Sequence, residues 1–167
     1  MAADFVFENN FAATINEISD TVAAALSEIG GEIVAQAARN TRVDTGQTKN
    51  SFRYEEHGSV MAQEERLYVG SDSENAIWEE YGTGEYAVNG DGRKGGWYIP
   101  AEKLSKRAKR KLKKVVFKGK KGGKGGKVYY FTKGKKPTKA LTKAFEKKKK
   151  WAQKRLAEKL GEISDDN

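Results

Sequence analysis

From Thr14 to about Asn40 the apolar residues Ile15, Ile18, Val22, Leu26, Ile29, Ile33 and Ala37 recur at spacings of three and four, which is one stripe of an amphipathic helix. The Gly30-Gly31 pair lies inside it and costs a helix about 1 kcal/mol per glycine relative to alanine. It marks a kink, a place of close packing or a tolerated soft spot. After the Asp44-Thr45-Gly46 turn the period changes to two. Phe52 to His57 and Glu65 to Val69 carry alternating or β-favouring residues, with Gly58-Ser59 as the break, and predict a hairpin. Glu74 to Tyr81 predicts a short helix with Ile77 and Tyr81 on one side, closed by Gly82. Gly84 to Gly96 holds five glycines and reads as a loop. Gly96-Trp97-Tyr98-Ile99 and Val128-Tyr129-Tyr130-Phe131 predict a second pair of strands, the latter ended by a turn at Lys133-Gly134. Pro137 and Thr138 then open a helix through Leu141, Phe145, Ala152, Leu156 and Leu160, with Trp151 beside the stripe and a basic opposite face. These elements predict an α+β fold. A long N-terminal helix and a C-terminal helix pack on a small antiparallel sheet, with a long basic insertion in the second hairpin.

Composition sharpens that outline. A chain of 167 residues, 37% hydrophobic and 33% charged, suits one core, so residues 1–167 are expected to form a single domain. Residues 1–96 hold 7 Lys+Arg against 17 Asp+Glu, whereas residues 97–167 hold 25 against 6. The chain is therefore a charge dipole along its sequence. The insertion, residues 101–127, has 13 Lys+Arg and a single acid, Glu102. Its first half, with Leu104, Ala108, Leu112 and Val115 at helical spacing, predicts a basic amphipathic helix. Its second half, Lys118 to Lys127, is almost only lysine and glycine and predicts a mobile arm, because such a composition cannot bury apolar surface. No cysteine occurs, which excludes disulfides and thiolate metal sites and is compatible with a reducing cytosol. Met1 to Phe11 is acidic and aromatic, unlike a secretory signal, and no segment has the roughly 20 apolar residues of a membrane span. Synthesis in the cytoplasm, with no membrane contact, is the expectation.

The sequence offers little to catalysis. The one histidine, His57, lies beside Glu55 and Glu56 with no nucleophile or metal partner at a telling spacing. One histidine and no cysteine leave only carboxylates for zinc. Asp44-Thr45-Gly46 spells the aspartic-protease triplet, but a second copy and the hydrophobic flanks are absent. The glycines of Gly82-Thr83-Gly84 and of Gly90 to Gly96 fit no phosphate-loop spacing. Asp44, Glu79 and Glu80 are the carboxylates nearest the glycine turns, and they are expected to cap helices or to pair with lysines of a neighbour. No enzyme activity, cofactor or metal is expected.

The basic half points to a partner instead. Lys106, Arg107, Lys109, Arg110, Lys111, Lys113, Lys114, Lys118, Lys120, Lys121, Lys124 and Lys127 form a contact arm. It can neutralise phosphates in a sequence-blind, salt-sensitive manner, or meet acidic protein, for which the acidic half of a second copy is suited. Trp97, Tyr98, Tyr129, Tyr130 and Phe131 could stack on bases, although inward-facing core is the favoured expectation.

The segments, taken in order, resemble a known family. Thr41-Arg42-Val43-Asp44-Thr45-Gly46 with Ser51 five residues on, then Val69-Gly70, then Ala76-Ile77-Trp78-Glu79-Glu80-Tyr81-Gly82-Thr83-Gly84, then Lys136 to Phe145, is similar to the tail-completion or neck proteins of long-tailed bacteriophages. There the segments run P-V-D-T-G-x-L-x-x-S, Y-A-x-x-V-E-F-G-T-G and P-x-P-F-L-R-P-A. Arg42 stands for the first proline and Thr48 for the leucine, while Lys139, Ala140 and Lys143 stand for the Pro, Phe and Pro of the last motif. The basic insertion is enlarged relative to the family's hairpin. The resemblance covers most of the chain outside residues 101–127 and implies motif turns at Val43, Asp44, Thr45, Gly46, Glu80, Tyr81, Gly82, Thr83 and Gly84. It also implies a non-enzymatic virion protein, a six-fold ring at the head-tail junction. Its partners would be the head connector or stopper and the tail terminator or tube, with nonspecific contact to DNA in the channel. A free nucleic-acid-binding protein using the lysine-rich half is the alternative.

Overall fold

The computed structural model describes residues 11–42, 46–59, 64–117 and 126–165. Its elements are α1 (Phe11–Asn40), β1 (Phe52–Ser59), β2 (Glu64–Ser71), α2 (Glu74–Tyr81), β3 (Trp97–Pro100), α3 (Lys106–Lys111), β4 (Lys113–Phe117), β5 (Lys127–Thr132) and α4 (Ala140–Asp165). The fold is mixed α+β, with two small antiparallel sheets and long helices near both ends. Two compact units divide the chain: residues 1–36, 53–70 and 144–167 in one, residues 37–52 and 71–143 in the other. No helix among the described residues is long and apolar enough to cross a membrane.

In the first unit α1 runs through Gly30-Gly31 without a break. A Cβ on Gly30 would sit 2.6 Å from Cγ of Tyr54 and 3.0 Å from Leu67, while one on Gly31 would meet nothing. Gly30 is thus a close-packing residue that lets the β1-β2 ribbon approach the helix. The Tyr54 hydroxyl lies 2.9 Å from Ser27 Oγ, and Ser19 Oγ donates to Glu65 at 2.9 Å. Ala25, Ile29 and Ile33 are buried, but Ile18 at the start of the stripe is exposed. Two long-range ion pairs join acids of α1 to bases of α4. Lys148 Nζ donates to Glu32 at 2.6 Å, and Arg155 Nε to Glu28 at 2.8 Å. The Glu28 hydrogen bond raises the Arg155 pKa above its ordinary value.

The second unit is built on the sheet β3-β5-β4, with β5 central and both pairings antiparallel. Tyr98 lies opposite Phe131, and Val115 opposite Tyr129. Here the structure corrects the sequence reading of the insertion. Among the described residues of the insertion a 3-10 turn, Ala101–Lys103, precedes one short α-helix, Lys106–Lys111, which Ser105 Oγ caps by accepting from Ala108 N at 3.1 Å, and Lys113–Phe117 is a strand. Val115, Val116 and Phe117 are β-branched or aromatic, and the open edge of β5 offers them a backbone ladder that a solvated basic helix cannot match. Of the expected mobile arm, Lys118 to Lys127, residues 118–125 lie outside the described residues, and Lys127 instead begins β5, where the ladder with β4 pairs it with Phe117.

Two boundaries also move. Gly58 and Ser59 belong to β1, so the hairpin break falls later, and α4 begins at Ala140, not at Pro137. The second shift has a physical cause in the cap described next.

Candidate interaction surface

Helix α2 is turned inside out. Ala76, Glu79 and Glu80 are buried, whereas Ile77, Trp78 and Tyr81 are 53%, 53% and 51% exposed. Spacings of three and four put the first set on one face and the second on the other. The carboxylates face the interior because the rest of the unit supplies donors for them, as a buried charge requires.

Glu79 accepts from Thr138 Oγ1 at 2.9 Å and forms an ion pair with Lys135. Its backbone carbonyl accepts from Thr138 N at 2.6 Å. Glu80 accepts from Leu141 N at 2.9 Å and from Thr142 N at 3.0 Å, and its Oε1 also takes the Thr142 hydroxyl. These are the free N–H groups of the first turn of α4, so Glu80 caps a helix whose Leu141 lies 61 residues later in the chain. The cap is needed because Lys139, whose carbonyl accepts the first helical bond from Lys143, has no acceptor on its side chain and sits at φ 55°. For Glu80 the expectation of a helix cap holds, and Glu79 pairs with a lysine, though one of its own chain and not of a neighbour; Asp44, the third acid of that expectation, lies outside the described residues.

Gly82-Thr83-Gly84 completes the clasp. Thr83 N donates to Lys135 O and Glu85 N to Lys133 O, both at 2.9 Å, and Lys135 N returns a bond to Thr83 Oγ1 at 2.9 Å. Gly82 and Gly84 have φ 75° and 61°, and a Cβ on Gly82 would lie 2.9 Å from Lys135 O. A Cβ on Gly84 would collide with Lys133 O, and one on Gly134 with Thr83 O. Glycine is required here both for the left-handed backbone and for the approach of two chain segments.

Outside the clasp, the exposed side of α2 borders an open groove of about 960 Å³. Ile77, Trp78, Tyr81, Val88 and Trp97 give it an apolar and aromatic lining, and Arg42, Lys49, Arg93 and Asp91 supply charge. Arg93 lies over the Trp97 ring, 5.8 Å from its centroid. The groove therefore combines large aromatic surface with arginine, the side chains enriched where protein interfaces hold most of their binding energy.

Of the other expected site residues, Val43, Asp44 and Thr45 lie outside the described residues. Gly46, at φ 84°, opens a turn in which its carbonyl accepts from Asn50 N at 3.1 Å, and Ser51 Oγ then lies 2.6 Å from Ser71 Oγ. Lys106, Arg107, Lys109, Arg110 and Lys111 lie on α3, Lys113 and Lys114 on β4, and Lys127 on β5. Lys118, Lys120, Lys121 and Lys124 are outside the described residues. The sheet aromatics are less buried than a core face: Tyr98 is exposed and Trp97, Tyr129, Tyr130 and Phe131 are intermediate. Tyr98, Phe117, Phe131 and Tyr129 make a chain of ring contacts with centroids 5.1 to 5.3 Å apart. His57 is exposed, 5.3 Å from the Tyr68 ring.

Sequence reasoning missed the outward orientation of Ile77 and Trp78. Its only local signal was the Glu79-Glu80 pair on the opposite face, whose partners lie some sixty residues away. No family model, no curated protein and no solved structure matches this chain.

Proposed function

We propose that this chain is a structural virion protein, a tail-completion or neck component whose copies form a six-fold ring at the head-tail junction of a long-tailed phage. The ring would surround the DNA channel and join the head connector or stopper to the tail terminator or tube. The observation that carries the reading is the arrangement around Tyr81-Gly82-Thr83-Gly84. Gly82-Thr83-Gly84 forms a hydrogen-bonded clasp with Lys133 to Lys135, and the helix that ends there presents Ile77, Trp78 and Tyr81 to solvent. Apolar surface held outward on a fixed scaffold is what a subunit interface needs. Glu79 and Glu80, the acids nearest these turns, are committed to structural bonds, which favours assembly over chemistry. The unequal charge of the two halves suits head-to-tail contact, which closes into a ring when the rotation allows.

Density-gradient sedimentation of a lysate of the source virus, with this chain quantified against assembled particles, tests the reading. Migration with tailed particles at a ring-like copy number supports it. Recovery only as free protein or with free nucleic acid overturns it.

A second reading, a sequence-nonspecific nucleic-acid-binding protein, is favoured by one feature: Lys113 lies opposite Phe131 and Lys127 opposite Phe117 in the sheet, on the face that carries the exposed rings of Tyr98 and Phe117, while Lys114 lies opposite Tyr130. It requires binding that weakens steeply with salt. Because β4 lies within the insertion, its test is charge reversal at these three lysines, not deletion of residues 101–127.

A further inference from the structure

We infer that the outward face of α2 is a socket for the amino-terminal segment Asp4 to Asn10 of a second copy of this chain, so that neighbouring protomers are strapped together by an exchanged arm. The inference rests on the ring reading for the presence of that second copy. It goes further in naming which surface meets which segment.

The socket is defined by what it leaves unsatisfied. Ile77, Trp78, Tyr81 and Val88 are each about half exposed, at 53%, 53%, 51% and 48%, and all border one groove. Four such side chains together are far from the scattered single apolar residues of an ordinary surface. The groove's charged lining among the described residues is basic in balance. Arg42, Lys49 and Arg93 outnumber Asp91, while Glu79 and Lys135 neutralise each other. A fitting occupant is therefore aromatic or aliphatic and carries acidic groups at its edges.

The segment Asp4-Phe5-Val6-Phe7-Glu8-Asn9-Asn10, which precedes α1, has that chemistry. It has two phenylalanines, one valine, two carboxylates and no base. Laid extended in the groove, it would set Phe5 and Phe7 on one side and Asp4 and Glu8 on the other. The rings would then meet Trp78 and Tyr81, and the carboxylates would meet the arginines and the lysine of the rim. Exchange between copies, in place of return to the same chain, follows from ring closure, since a heterologous contact joins one surface to a different surface of the next subunit.

The test uses the full chain. Phe7→p-benzoylphenylalanine, a photo-cross-linker, is introduced, and isotopically light and heavy copies are mixed before irradiation. The expected product is a cross-link from position 7 of one copy to the peptide containing Trp78 and Tyr81 of another. Its yield should fall about tenfold or more with Trp78→Ala, the loss typical of a central aromatic anchor. Arg93→Glu should weaken it, and Glu8→Arg added to that variant should restore it. An unchanged melting temperature in Trp78→Ala separates lost docking from lost folding. Cross-links confined to one copy, cross-links to another surface, or a yield insensitive to Trp78→Ala would each overturn the inference. Normal entry into particles without the cross-link would sink the strap and leave the neck reading intact. A cross-link between copies that never enter particles would do the reverse.

Discussion

Replacing Glu80 by alanine removes the acceptor of two backbone N–H groups and one hydroxyl at the start of α4. Loss of a capping acceptor costs about 1 kcal/mol. A partly buried charge near a helix N-terminus contributes up to about 2 kcal/mol, and each donor left buried without a partner costs about 1 to 3 kcal/mol. These overlap, since the same bonds carry all three. We expect Glu80→Ala to destabilise by about 2 to 4 kcal/mol. Glu80→Gln keeps the shape and one acceptor oxygen but turns an amide group toward a donor, and should cost about 1 to 2 kcal/mol. Urea denaturation followed by circular dichroism gives the global effect. With two compact units in the chain, coincidence of transitions by two probes must be checked before a single free energy is assigned. Hydrogen exchange at the Leu141 and Thr142 amides gives the local effect directly and should accelerate. Thr142→Val removes the hydroxyl from the same network, so its effect should be smaller in the Glu80→Ala background than alone. A loss below about 0.5 kcal/mol in Glu80→Ala, with unchanged exchange at both amides, would refute the cap.

Adjacent glycines should respond with opposite sign. Gly31→Ala fills open space within α1 and should stabilise by about 0.8 to 1 kcal/mol. Gly30→Ala drives a methyl group into the Tyr54 ring, and overpacking of about 1 to 3 kcal/mol should outweigh that gain. Equal shifts in thermal midpoint for the two variants would contradict the packing of Tyr54 on α1. At φ 121° and against the Thr83 carbonyl, Gly134→Ala should cost about 2 to 4 kcal/mol in urea denaturation. A neutral result would mean that the Gly82-Thr83-Gly84 clasp is looser than described.

Periodicity and turn chemistry were enough to locate most elements. The α2 boundaries, Glu74 and Tyr81 with Gly82 at the end, and the pairing of the Trp97 and Val128 strands could be read from local pattern, because helix stripes, alternation and glycine stops are written within a few residues of where they act. The stripe through Ile29, Ile33 and Ala37 likewise marked residues that are buried. Val115 continues the helical spacing of Leu104, Ala108 and Leu112, yet the edge of β5 makes Lys113–Phe117 a strand. The direction α2 faces was also decided at a distance. Ile77 and Tyr81 mark an apolar side that local pattern would bury, yet Lys135, Thr138 and the bare N-terminus of α4 offer the interior face a set of hydrogen-bond donors, and buried donors need acceptors more than a short helix needs its apolar face covered. Which residues can be helix, strand and turn is a local preference and is legible in the residues themselves. Tertiary structure alone decided that the acids of α2 point inward and its aromatics outward, because that choice depends on partners brought together from opposite ends of a segment some sixty residues long.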